Sequence, residues 1–151
     1  MATLEHEHRE LARRAIEEVC ARGDFAKAPQ FYSERFHDRV NSLEYHGLEG
    51  VRESVQMYRS ILPDLEIKVE EQVVEGDRVA SRWTARGTNR GRQVELRGIT
   101  ISRFEEGKIV EDWGYSDTVD LLRQLGPLRV IALGAERLIK TLRPQREAAR
   151  A

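Results

Sequence analysis

The stretch from Val94 to Asp117 most constrains the fold, because it has the pattern of two long strands joined by a tight turn. Glu106-Gly107 is suited to a two-residue hairpin loop, in which the glycine supplies a positive φ. The second strand ends in a carboxylate that follows a tryptophan by four residues and a tyrosine by two. If the chain has a reaction centre, we expect it at this strand end.

The hairpin loop also predicts a register for the two strands. If Glu105 pairs with Lys108, Thr100 faces Trp113, and the last residue, Asp117, faces Leu96. Since side chains alternate along a strand, every second residue of the last strand shares one face. These residues are Ile109, Glu111, Trp113, Tyr115 and Asp117. The register therefore predicts a carboxylate on an aromatic-rich sheet face.

The pattern of apolar residues changes from helical spacing to alternation at Leu65. Before this point, helical spacing predicts helices at residues 5–22, 25–33 and 49–62, with a short strand at 36–41. After it, loops at Gly76-Asp77 and Asn89–Gly91 separate alternating segments. The second half is thus predicted to be a meander of four long antiparallel strands.

Helices followed by a meander predict an α+β domain. Strong twist in long strands favours a curved antiparallel sheet, a cone-shaped barrel that holds the N-terminal helices and encloses a pocket. Further helices are predicted at residues 117–125 and 128–143. We therefore divide the chain into a cone domain, residues 1–126, and a C-terminal helical extension and tail, residues 127–151.

Composition excludes several classes of function. The net charge of −1 provides no field that would attract nucleic acid or an anionic membrane. Cys20 is the single cysteine, so an internal disulfide and a cysteine-based metal cluster are excluded. The charged N-terminus lacks the apolar core of a signal peptide, and no apolar run is long enough for a membrane helix. A cytoplasmic location is the expectation.

Four phrases carry a family resemblance: GLEGVRESV, LPDLEIKVEEQVVEGDRVASRWTARGT, GRQVELRGITISRFEEGKIVEDW and DLLRQLG. Together with the order of elements, they resemble the SnoaL-like polyketide cyclase family of the nuclear-transport-factor-2-like superfold, over roughly residues 8 to 126. The resemblance implies a cone with a deep apolar pocket, a homodimer or tetramer, and intramolecular aldol ring closure of a polyketide without a cofactor. This superfold hosts many activities, so the fold alone does not decide the reaction.

The resemblance also implies one catalytic residue. The acid/base aspartate of the cyclases closes the last strand a few residues after a tryptophan, and Asp117 matches this position. Two positions depart from the family pattern: Asp38-Arg39 stands where many members have Asp-His, and Asp112 stands where many have a histidine. These departures leave open which side chains are the polar partners of the catalytic aspartate.

Aldol cyclisation needs a base that removes a proton from a carbon next to carbonyl groups. It also needs an acid that protonates the oxygen that becomes an alcohol. One carboxyl group can do both if apolar burial raises its pKa towards neutrality, and Trp113, Tyr115 and Leu96 would provide such surroundings for Asp117. The alternative is that Asp117 simply caps the following helix, since Ser116, Asp117 and Thr118 are all good N-caps.

Several other side chains are candidates for substrate binding. Trp83 and Trp113 could stack on a flat substrate or fill the core, and Tyr115 and Thr100 could donate hydrogen bonds. Arg39 could polarise a carbonyl or remain a surface arginine paired with Glu34 or Asp38. The remaining candidates are Phe36, Tyr58 and, at a pocket mouth, His46.

No metal or cofactor site is predicted. His6 and His8 do not have the i, i+4 spacing of metal ligands on one helix face, and no glycine-rich phosphate loop is present in the sequence. Two functions remain open: a cyclase or isomerase-type enzyme acting on a hydrophobic polycarbonyl or polycyclic compound, and a non-catalytic pocket protein that binds a small apolar ligand. In either case we expect a homodimer.

Overall fold

The computed structural model describes residues 2–126, which contain four α-helices and six β-strands. The helices are α1 (Ala2–Arg14), α2 (Ala28–Phe31), α3 (Gly47–Ile61) and α4 (Thr118–Leu125). The strands are β1 (Tyr32–Val40), β2 (Leu43–His46), β3 (Glu66–Glu75), β4 (Arg78–Asn89), β5 (Arg92–Glu105) and β6 (Lys108–Ser116). After Arg14 the first helix continues with π-type winding over Ala15–Ala21, and a 3₁₀ turn covers Phe25–Lys27.

The strands form one curled sheet in the order β2-β1-β6-β5-β4-β3. Its long part is the antiparallel meander β3 to β6, as the sequence predicts. Strand β1 runs parallel to β6 and antiparallel to β2, so it joins the two halves of the sequence in one sheet. The α+β prediction with a strongly curved sheet is confirmed.

The loops of the meander have the conformation that their residues favour. Both central residues of the β5–β6 loop have positive φ, 49° at Glu106 and 73° at Gly107. The β4–β5 loop repeats this with 45° at Arg90 and 80° at Gly91. Two consecutive positive φ values define the hairpin turn whose twist matches the flanking strands.

Two local predictions differ from the structure. The helix predicted at 25–33 is reduced to the 3₁₀ turn and α2, and β1 already begins at Tyr32. Pro29 accounts for this, since a proline is tolerated in the first turn of a helix but not further along it. Strand β2 was not predicted, because four residues of mixed polarity, Leu43–His46, show no clear alternation of apolar residues.

The core lies where the first helix meets the sheet. Ala12, Ala15 and Val19 form a buried helix face, and aromatic residues such as Phe31 and Phe104 pack in the same cluster. The sheet and the first three helices form one compact unit that ends at Asp117.

Helix α4 belongs to a second unit that begins at Thr118. It ends at Gly126, whose φ of 84° and N–H bond to the Leu122 carbonyl oxygen, 3.1 Å long, form a glycine C-cap. The helix predicted at 128–143 and the extension predicted for 127–151 lie outside the described residues. Within residues 2–126, no helix has the length and apolar character needed to cross a membrane.

Candidate active site

A β-bulge in β6 decides which side chains face the interior of the sheet. Phe104 pairs with Ile109 as predicted, but Arg103 pairs with Glu111, so Val110 is an extra residue. Beyond the bulge the register differs by one from the prediction, and Thr100 lies opposite Gly114. Because a shift of one residue turns each side chain to the other face, the predicted face of β6 is wrong after Ile109.

Trp113 therefore lies on the outer face of the sheet rather than towards the interior. Its Nε1 donates to Oε1 of Glu111 at 2.7 Å, and the guanidinium carbon of Arg39 lies 4.3 Å from the centre of its ring. Arg39 also pairs with Glu111, as does Arg103 at 3.0 Å. These contacts place Arg39 and Trp113 in an outer ion-pair cluster, so the prediction that they line a pocket is wrong.

The electrostatics of this outer cluster are those of a stable surface network. Burial would by itself raise the pKa of Glu111, but hydrogen bonds from Arg103 and Trp113 and the charge of Arg39 outweigh it and lower the pKa. Glu111 is thus held as a carboxylate. It is the partner of Arg39 in place of Glu34 or Asp38.

Three more predicted site residues are exposed. The side chain of Tyr115 is 54% exposed on the outer face, and His46 is exposed at the end of β2. Asp117 is exposed as well, and its backbone N–H donates to the Arg97 carbonyl oxygen at 3.0 Å. The lining of the cavity described next includes none of these three residues.

A cavity of about 90 Å³ lies between the concave face of the sheet and the first and third helices. Its walls are mainly apolar, with Ile16 from the first helix, Val51 and Val55 from α3, and Ala85 from β4. Four predicted binding residues do line it: Phe36, Tyr58, Trp83 and Thr100. Trp83 is fixed there, since its Nε1 donates to Oγ1 of Thr100 at 3.0 Å.

Two aspartates, Asp38 and Asp112, line the same cavity, and each is only 8% exposed. They are direct partners in the parallel pairing of β1 with β6, so their backbones are roughly one strand spacing, ~4.8 Å, apart. Both side chains project from this pair towards the apolar interior. Among residues 2–126, no hydrogen-bond donor reaches Oδ1 of Asp112.

The surroundings of this carboxyl pair favour the protonated form. The pKa of Asp38 is raised to about 6, because burial outweighs the lowering effects of the Ser54 hydroxyl and of His37. Burial raises the pKa of Asp112 well above its ordinary value, and the charge of Asp38 raises it further. Two carboxyl groups this close in an apolar cavity share a proton more easily than they carry two charges.

Cys20 and Tyr32 form a second polar contact in the cavity, with Sγ 3.7 Å from the tyrosine oxygen. Burial raises the pKa of Cys20 to about 12, and it also raises the pKa of Tyr32. A thiol that keeps its proton is a poor nucleophile. This pair can donate weak hydrogen bonds to a group in the cavity.

The sequence contained a signal for one of these aspartates. In β1, Asp38 stands two residues after Phe36 and two before Val40, which places it on the apolar face of an alternating strand. Asp112 likewise stands two residues after Val110 and two before Gly114. That this set of β6 residues faces the interior follows only from the bulge. The predicted register thus puts Asp112 on the outer face, whereas Asp117 is assigned from its position at the strand end and from the family resemblance.

Comparison with known proteins agrees with this architecture. The profile of the SnoaL-like polyketide cyclase family matches residues 10–125. A protein from Bacillus cereus, assigned as a polyketide cyclase, is 30% identical, with 80% of each chain covered and a TM-score of 0.72. No curated protein matches the chain significantly.

Two Streptomyces proteins have similar structures. IdmH from Streptomyces antibioticus, assigned as a polyketide cyclase, is 26% identical, with 81% of this chain and all 100% of IdmH covered and a TM-score of 0.71. AclR from Streptomyces galilaeus, assigned as a hydroxylase, is 24% identical over 81% of this chain and 97% of its own, with a TM-score of 0.70, and supports the fold alone. Together with the family profile, these matches confirm the resemblance found in the sequence: the chain belongs to the SnoaL-like polyketide cyclase family.

Proposed function

We propose that the protein is a cofactor-free acid/base catalyst that closes a ring in an apolar carbonyl compound, with Asp112 as the acid/base group. The observation that carries this proposal is the buried Asp112 carboxyl group, which lines an apolar cavity while its Oδ1 lacks a donor among residues 2–126. A buried polar atom without a partner is costly, and a catalytic role is one explanation for keeping such an atom.

The proposed reaction is an intramolecular aldol addition. The Asp112 carboxylate removes a proton from a carbon flanked by two carbonyl groups, which leaves an enolate. The enolate carbon forms a bond to another carbonyl carbon of the same molecule, and the protonated Asp112 returns the proton to the resulting alkoxide. The carboxylate is regenerated and no oxidant or reductant is needed, because the product is an isomer of the substrate.

Asp38 supports this step through its position beside Asp112. When Asp38 is ionised, its charge raises the pKa of Asp112 and makes that carboxylate a stronger base. When Asp38 holds the shared proton, it can donate a hydrogen bond to the enolate oxygen. Thr100 from β5 and Tyr58 from α3 provide hydroxyl groups in the lining of the cavity, and the indole of Trp83 provides a flat apolar surface.

The size of the cavity limits what enters it in this conformation. Its volume of about 90 Å³ is below the roughly 300–1,000 Å³ of ordinary ligand pockets. We therefore propose that a compact part of the substrate, carrying the acidic carbon, occupies the cavity beside Asp112. A polycyclic substrate would require the walls to move apart.

The test is proton exchange at the carbon between the two carbonyls of a small β-keto ester, followed by NMR in deuterated buffer. Above the spontaneous background, we expect Asp112→Asn to reduce the protein-dependent rate by about 10²–10⁴-fold, the usual contribution of a general acid/base group. The matched variant Asp117→Asn should keep most of the rate. This comparison also tests the catalytic role that the family resemblance assigns to Asp117, which stays a prediction.

The opposite pattern, in which Asp117→Asn loses the exchange and Asp112→Asn retains it, would contradict the assignment and favour Asp117.

The mainly apolar lining favours a second candidate, a non-catalytic binding protein. In that case the ester would quench the fluorescence of Trp83 with no exchange above background in the unmodified protein.

A further inference from the structure

The β1–β2 hairpin brings together three side chains that could bind a metal ion. His37 and His46 are direct partners in the hairpin register, and their rings stack at 4.4 Å between centres with an angle of 26°. Glu44 lies two residues before His46, hence on the same face, and its Oε2 is 3.2 Å from Nε2 of His37. The three potential ligand atoms all lie within 4.8 Å of one another.

This donor set has a defined preference among metal ions. Imidazole nitrogen suits Zn²⁺, Ni²⁺ and Cu²⁺, whereas Mg²⁺ and Ca²⁺ take oxygen ligands. Two histidines and a carboxylate supply three protein ligands, which leaves a fourth tetrahedral position for water. The observed donor set thus fits a divalent transition-metal ion rather than a hard cation.

The geometry needs only a small adjustment to bind such an ion. Ligand atoms around tetrahedral Zn²⁺ lie roughly 3.4 Å apart, given metal–ligand distances of about 2.1 Å. The carboxylate of Glu44 is already at this distance from His37. Glu44 and His46 are exposed and His37 is half-buried, so rotation of side chains can close the remaining gap without moving the backbone.

We propose that His37, Glu44 and His46 form a binding site for a divalent transition-metal ion, with Zn²⁺ as the best-fitting ion. None of the three residues lines the apolar cavity, so this site is separate from the acid/base pair. The histidines are nine residues apart in the sequence, and only the hairpin register brings them together. A bound ion would join the two strands of the hairpin at the edge of the sheet.

The test is calorimetric titration of the full chain, freed of metal by a chelator, with ZnCl₂ and separately with MgCl₂. We expect one Zn²⁺ per chain, no measurable binding of Mg²⁺, and a higher unfolding temperature when Zn²⁺ is present. His37→Gln and His46→Gln should each weaken Zn²⁺ binding about tenfold or more and abolish the shift in unfolding temperature. The matched control is His6→Gln, which removes an exposed histidine outside the cluster.

A simple ion pair between His37 and Glu44 would explain the same contact without any metal. In that case Zn²⁺ would not bind, or its affinity would be unchanged in His37→Gln and His46→Gln, and either result overturns the proposal. Loss of binding in His6→Gln alone would also overturn it, because the ion would then bind near the N-terminus. Circular dichroism of each variant separates lost binding from lost folding.

Discussion

At the scale of single residues, the most informative group is the Asp112 carboxyl. It is buried beside a second aspartate, and both its burial and the neighbouring charge raise its pKa, so ionisation is unfavourable there. An ordinary core would place an apolar side chain at this position. Perturbed pKa values concentrate where chemistry occurs, which makes this carboxyl group the leading candidate for the proposed reaction.

The raised pKa predicts how stability depends on pH. In the folded protein Asp112 keeps its proton at pH values at which the unfolded chain has lost it, so folding binds a proton. Its contribution is therefore fully present below about pH 4, the ordinary aspartate value, and is lost as the pH rises towards the raised pKa of the folded state. When the pH is raised from 5 to 8, we expect the free energy of unfolding to fall less in Asp112→Asn than in the unmodified protein. Urea denaturation at each pH measures this.

The control for this prediction is Asp77→Asn, which changes an exposed aspartate in the β3–β4 loop. Its dependence on pH should parallel that of the unmodified protein. If Asp112→Asn also parallels the unmodified protein, Asp112 does not take up a proton on folding and the electrostatic account of the cavity is wrong.

At the scale of elements, the local sequence predicts which segments form strands and turns. It does not predict which side chains of a strand face the interior of the sheet. Alternation and hairpin glycines were sufficient to predict β3 to β6 and their loops. The bulge at Val110 carries no local signal, because it depends on how β5 and β6 pair along their whole length. Because of this one extra residue, Trp113 and Tyr115 lie on the outer face and Asp112 on the inner face, the reverse of the predicted register.

Two glycines in neighbouring strands differ in the space that an added side chain would have. A Cβ on Gly98 would lie 2.4 Å from the ring of Trp83 and 2.6 Å from the Tyr115 carbonyl oxygen, whereas a Cβ on Gly114 would approach nothing closer than 3.7 Å. We expect Gly98→Ala to reduce the free energy of unfolding by about 1–3 kcal/mol, as overpacked cores do. Gly114→Ala should cost less, and urea denaturation of both variants measures the difference. Equal costs would contradict the close approach of Trp83 to β5.

At the scale of the whole molecule, the carboxyl pair depends on a contact between distant parts of the sequence. Asp38 and Asp112 meet because β1 pairs in parallel with β6. The family resemblance predicts the cone and its apolar pocket, and four of the predicted binding residues, Phe36, Tyr58, Trp83 and Thr100, line the cavity. The parallel pairing lies beyond what local patterns predict, so neither aspartate was identified as a site residue. The homodimer stays a prediction.

The most direct test of the central claim is an NMR titration of the unmodified protein with ¹³C-labelled aspartate side chains. Asp112→Asn and Asp38→Asn assign the two signals. The account predicts that Asp112 titrates well above the ordinary aspartate value of about 4, and that Asp38→Asn lowers this pKa by removing the neighbouring charge. If every aspartate titrates at or below about pH 4, Asp112 is an ordinary carboxylate and the proposed acid/base role is contradicted.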